Sequence, residues 1–140
     1  MTSYQFWDTI ADAYTPLLFL AYIVFSIIYF RDGDRSAWLK GLAGIVLAYA
    51  IMFLDKITQL WSSLSLDYST HSAVALVLIM FLVHKRPMKS LSWIALVLSL
   101  VAYYCLEVYM AYHSVADIVS TVIVLMPLVV VIYWSIGRVF

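Results

Sequence analysis

Cysteine is almost missing from this chain, and charge is scarce. The single cysteine, Cys105, lies in an apolar run, which excludes an internal disulfide and any cysteine-based metal site. Charged residues make up 11% of 140, too few to cover the surface of a small soluble domain. The first fifteen residues hold Asp8 and Asp12 but no lysine or arginine, and no short apolar core followed by a small-residue cleavage site. No cleavable signal peptide is therefore expected, and the first apolar span acts as its own insertion signal. Repeats, low-complexity tracts and linkers long enough to separate domains are lacking too, so residues 1–140 read as a single transmembrane domain with no nucleic-acid partner.

What the chain has instead is hydrocarbon. At 66% hydrophobic residues and a mean hydropathy of +1.00, it carries more apolar side chains than the interior of one small domain can hold, and it reads as an integral membrane protein. Phe6, Trp7, Ile10 and Tyr14 recur at helical spacing opposite Asp8 and Asp12, which predicts a short amphipathic helix lying in the interface. Apolar spans follow at 16–30, 38–54, 69–83, 90–106 and 115–136. The expected fold is thus all-α, an integral membrane bundle of five transmembrane helices with an N-terminal interfacial amphipathic helix. Gly41 and Gly44 share a face of the second span and predict close helix packing. The third span is shorter than the ~20 residues needed to cross the hydrocarbon. Its polar start at 69–72 is therefore expected to lie recessed in a protein-lined cavity.

Five spans place the termini on opposite sides, and basic residues choose which. Arg31, Arg35, Lys40, Lys85, Arg86, Lys89 and Arg138 fall in one set of connections or beside it, and only Lys56 falls in the other. That bias puts the N-terminus outside and the C-terminus in the cytoplasm, in a bacterial inner membrane or a plasma membrane. The same sorting gathers Asp8, Asp12, Asp55, Asp67, Glu107 and Asp117, with His71 and His113, on the outer side.

Residues 106–121, LEVYMAYHSVADIVST, carry the densest chemistry. Ionisable groups at membrane depth are costly to bury and are functional candidates by default. On a helix begun near Tyr112, His113 and Asp117 stand four apart on one face, so the carboxylate would orient the imidazole. The plainer alternative is a histidine and an aspartate satisfying one another at a helix start. A second polar stretch, DYSTHS at 67–72, opens the third span on the same side.

These two stretches together resemble the type-2 phosphatidic acid phosphatase superfamily of membrane lipid phosphatases. The family opens a helix with Pro-Ser-Gly-His-Ala, and YSTHS at 68–72 matches its serine and histidine. Further on the family carries Ser-Arg, five residues, His, three residues and Asp, of which His113 and Asp117 are kept. The resemblance implies that His113 is the nucleophile on phosphorus, that Asp117 orients it, and that His71 is the general acid for the leaving alcohol. Ser69, Thr70 and Ser72, at a helix start with free N–H groups, would hold phosphate oxygens.

The departures from the pattern are equally specific. Glu107 stands where the family has its arginine, Leu106 where it has its serine, and of the first motif only Lys56 remains, with Ser63 and Leu64 in place of Arg-Pro. Positive groups that clamp the phosphoryl oxygens are thus reduced to one lysine. Three readings stay open. One is a working lipid phosphatase or phosphotransferase without a cofactor, similar to sphingomyelin synthase-like enzymes that use a His, His, Asp triad on phosphodiesters. Another is a metal-dependent hydrolase in which a divalent ion such as zinc binds His71, Glu107, His113 and Asp117. The last is a degenerate relative that serves as a subunit in an oligomer or beside a partner membrane protein. The substrate in the first two readings is a membrane lipid, with Lys56 and Glu107 beside its headgroup.

Overall fold

Thr2 opens the first helix through a reciprocal cap: its hydroxyl accepts from the Gln5 N–H at 3.3 Å, and the Gln5 side chain accepts from the Thr2 N–H at 3.0 Å. From there α1 (Ser3–Arg31) runs for 29 residues in the computed structural model, which describes residues 2–139. An interfacial helix separate from the first span is not what forms, because Pro16 lies inside α1. A proline removes one N–H and crowds one carbonyl, a local cost that a helix already capped upstream can carry. Its ring borders an open cavity and not a packed neighbour, so nothing forces a break there.

Asp34 caps α2 (Arg35–Thr58) by accepting from the Ala37 N–H at 3.0 Å, and Gln59, in the left-handed region at φ 52°, ends it. The connection that follows is anchored. It contains the single turn α3 (Leu60–Ser63), the Asp55 carboxylate accepts from the Trp61 N–H at 2.9 Å, the Trp61 indole donates to Ser120 at 3.0 Å, and the Tyr68 hydroxyl donates to the Ala48 carbonyl at 2.9 Å. Ser69 and Ser90 then cap α4 (Thr70–His84) and α5 (Leu91–Tyr109), and α6 (Val115–Val139) completes the order.

Helices α1, α2, α5 and α6 are long and apolar enough to cross a membrane, which makes the chain an integral membrane protein. The third expected span, α4, differs in kind. At 15 residues it reaches only about 22 Å, and it packs against all four of the long helices. Its side chains from Ser72 to Ile79, with Phe81 and Leu82, are buried. A helix apolar on every side belongs in an interior, and α4 is the core of the bundle. The two glycines of α2 permit this. A Cβ on Gly41 would stand 2.5 Å from Tyr22 and 2.7 Å from Phe81, and one on Gly44 would stand 3.2 Å from Val77.

The two ends of the bundle differ in charge. At one, Lys85 pairs with Asp34 at 2.5 Å and the Lys40 ammonium meets His84 Nε2 at 2.9 Å. At the other lie Asp8, Asp12, Asp67, His71, Glu107, His113 and Asp117, where the starts of α1, α4 and α6 meet the end of α5.

Candidate functional site

A cavity of about 600 Å³ opens at the acidic end. The helical spacing of Asp8, Asp12 and Thr15 turns all three toward it from α1, and Phe19 continues that face inward. His71 enters from the first turn of α4, placed by the Ser69 cap: the Ser69 hydroxyl accepts from the Ser72 N–H at 3.3 Å, and the Ser69 N–H donates to Thr121 Oγ1 at 3.2 Å. Tyr103 and Glu107, four apart on α5, add a phenol and a carboxylate, and Glu107 is only 3% exposed.

His113 arrives through a tight helix end. Ala111 takes the left-handed conformation at φ 56°, the Tyr112 N–H reaches back to the Glu107 carbonyl at 3.1 Å, and the Ala111 N–H reaches Val108 at 3.0 Å. This six-to-one closure reverses the chain within a few residues and turns Tyr112 and His113 over the cavity. The Tyr112 hydroxyl donates to the Asp8 carboxylate and ties the turn to α1.

Asp117 has a different place from the one its spacing suggests. The helix begins at Val115, not near Tyr112, so His113 lies in the preceding turn and the four-residue relation on one helical face is not made. The Asp117 carboxylate is instead committed to backbone. Oδ1 accepts from the Asp67 N–H at 2.8 Å and Oδ2 from the Ser114 N–H at 2.8 Å, while the Ser114 hydroxyl accepts from the Asp117 N–H at 3.1 Å. This is a reciprocal cap on α6 that also holds the 67–69 segment. The carboxylate nearest the imidazole belongs to Asp67, whose Oδ2 lies 3.5 Å from His113 Nδ1. That nitrogen is buried and has no hydrogen-bond partner among the described residues.

The remaining expected residues divide. His71, Glu107 and His113 share the cavity wall. Ser69 and Ser72 are wholly buried in the packing at the start of α4, and neither they nor Thr70 line the cavity. Lys56 stands exposed at the end of α2 with its ammonium 5.8 Å from the Phe53 ring, away from the lining. Among the described residues no three His, Cys, Asp or Glu side chains come together as a metal-ligand set. Sequence reasoning did not assign Asp8, Asp12 and Tyr103 to the site. The available signal was the repeat of Asp8, Asp12 and Thr15 along one helical face running into an apolar span.

Comparison of the chain with family models, with curated proteins and with solved structures finds no match. The chemistry is therefore read from the cavity itself. Among the described residues it offers two imidazoles, three carboxylates and three phenols with no lysine or arginine in its lining, beside an apolar bundle surface.

Proposed function

We propose that the chain is a lipid phosphoester hydrolase or phosphotransferase embedded in the membrane, with its cavity open to the outer leaflet. The observation that carries this reading is that His71 and His113, from elements far apart in sequence, line one cavity at one end of the bundle. In-line transfer through a covalent intermediate needs two such groups, one neutral to attack and one protonated to donate. His113 is the nucleophile. Its Nδ1 is turned toward Asp67 and buried, which leaves Nε2 for phosphorus. A new N–P bond forms as the ester P–O bond breaks, and the departing alkoxide takes a proton from the His71 imidazolium. Neutral His71 then removes a proton from water or from an acceptor alcohol as its oxygen attacks the phosphohistidine, and the N–P bond breaks.

The acidic lining chooses among esters. Asp8, Asp12 and Glu107 repel a phosphomonoester dianion more than a phosphodiester monoanion, so diesters are the favoured class. Five helices cross the membrane in this reading, α4 within the shelter of the others, and the excess of lysine and arginine at the opposite end places that end in the cytoplasm.

Purified protein in neutral detergent, given a panel of lipid phosphomonoesters and phosphodiesters in the presence of chelator, tests the proposal. Turnover of diesters that persists in chelator, with an acid-labile phosphohistidine lost in His113→Ala, is the expected result. Absence of turnover on every substrate by folded protein would overturn it in favour of a subunit role.

A further inference from the structure

Among the described residues no cation faces Glu107 in the cavity. Glu107 is 3% exposed and lines the cavity, yet no lysine or arginine joins it there. A carboxylate withdrawn from water is costly unless a cation or several donors replace the solvent. Asp8 and Asp12 add two more carboxylates to the same wall. A second buried group is also left over. Thr15 is 8% exposed and lines the cavity beside the Tyr103 hydroxyl, and its Oγ1 makes no hydrogen bond of normal geometry among the described residues. Aromatic surface completes the lining: Tyr103 sets its hydroxyl beside Glu107, and Phe19 and Tyr49 present further rings.

Carboxylates and aromatic faces converging on a small hollow are the chemistry that recognises an organic ammonium ion. Beside this hollow runs an apolar cleft of about 550 Å³ between α1 and α5, walled by Trp7, Ile10, Tyr14, Leu106 and Tyr109. Tyr103 lines both spaces, and it is stacked on Tyr14 with ring centroids 4.4 Å apart. The cleft is open along the flank of two helices long enough to cross a membrane, so a hydrocarbon chain can enter it from the bilayer.

We infer that the cavity and the cleft together form a site for a cationic amphiphile, with its ammonium group against Glu107, Asp12 and Asp8 and its chain in the cleft between α1 and α5. This rests on the proposed function only in sharing its cavity. The Thr15 hydroxyl faces the same ammonium group. The two histidines of the same lining are left for phosphorus.

The test uses probes without phosphorus, so that it stands apart from catalysis. Full-length protein in a neutral maltoside is titrated with dodecyltrimethylammonium, with an amphiphile of equal chain length ending in an uncharged tert-butyl group, and with tetramethylammonium. Binding is read as a saturable rise in unfolding temperature. The charged amphiphile is expected to bind and the uncharged one to bind at least about tenfold more weakly, with Glu107→Gln lowering affinity for the charged probe by about ten- to a hundredfold. Asp12→Asn should give a smaller loss in the same direction. Equal stabilisation by charged and uncharged amphiphiles would overturn the cation site, as would unchanged affinity in a folded Glu107→Gln. Should that variant not fold, the contrast between probes on the wild type decides alone. Tetramethylammonium binding as tightly as the amphiphile would overturn the chain cleft. Diester turnover without ammonium binding would sink this inference only, whereas ammonium binding without any turnover would sink the catalytic reading only.

Discussion

The two ends of the bundle handle their charges in opposite ways. At the basic end, charged and titratable groups close on one another: Lys85 holds Asp34, and the buried Lys40 ammonium donates to His84, whose ring in turn packs edge-on to Tyr133 at 5.3 Å. At the acidic end, Glu107 and both histidines face a cavity, and His113 Nδ1 stays without a partner among the described residues. Polar groups paired with one another are explained by topology and stability. Polar groups left facing an open space, when burial there is expensive, are explained by what enters it. The ends differ in the sign of their charge and in what faces an open space.

Removing the nucleophile tests the contrast between the ends most directly. His113→Ala is expected to lower diester turnover by about a thousandfold or more while leaving the unfolding temperature almost unchanged, and His71→Ala by about 10²–10⁴-fold, the range for a single acid–base group. Initial rates and thermal unfolding measured on the same preparations check both. A His113→Ala protein that lost stability in proportion to activity would make the acidic end another self-satisfied structural cluster, and the contrast between the ends would vanish.

Much of the framework was legible because its signals are local. Ser69 and Ser90 begin α4 and α5 where a capping serine meets an apolar run, and the spans expected at 69–83, 90–106 and 115–136 differ from the helices by three residues or fewer at any boundary. The boundary expected at residue 16 is not made, because Pro16, a strong local signal for a helix start, lies inside a helix that is capped at Thr2 and continues through it. Shortness in α4 was visible, but its meaning is tertiary. Only packing against four other helices turns fifteen apolar residues into the core. The convergence of His71, Glu107 and His113 followed from sorting connections by side. The carboxylate nearest His113 did not, since Asp67 approaches it from a distant connection and Asp117 is held by backbone N–H groups that spacing cannot reveal.

That exchange of carboxylate roles makes the next prediction. Asp117→Ala leaves the Asp67 and Ser114 N–H groups without their acceptor and uncaps α6, a loss of about 3 kcal/mol. Hydrogen exchange should rise at Asp67 and Ser114 together, because one side chain restrains both. Asp117→Asn keeps an acceptor oxygen and should recover part of the stability. At the shared core the expected effect is somewhat smaller. Gly41→Ala puts a methyl 2.5 Å from the Tyr22 ring and 2.7 Å from Phe81, rings set edge-to-face at 5.0 Å that must move apart. The expected cost is about 2 kcal/mol, read as a lower unfolding temperature. Gly44→Ala, with 3.2 Å to Val77, should cost less. Neither change touches the cavity lining, so the affinity of the folded fraction for cationic amphiphiles should hold.

The smallest effect is expected where charges are already paired. The Lys85 ammonium holds the Asp34 carboxyl below the usual aspartate range, aided by the Ala37 N–H. A carboxyl whose folded value is depressed favours the folded state above its unfolded value of about 4, and that contribution is lost as pH falls through the folded value. Lys85→Ala removes the ion pair while leaving the Asp34 cap on α2 in place, so it isolates the electrostatic part. The variant should be less stable than wild type at pH 7 by under about 1 kcal/mol, since both side chains are partly exposed and the pair is screened. The gap should narrow as pH drops below about 4 and as salt is raised. Unfolding temperatures of the two proteins across pH and ionic strength measure it. A gap that widens on acidification would mean that Lys85 acts through something other than Asp34, and the basic end could no longer be described as closed upon itself.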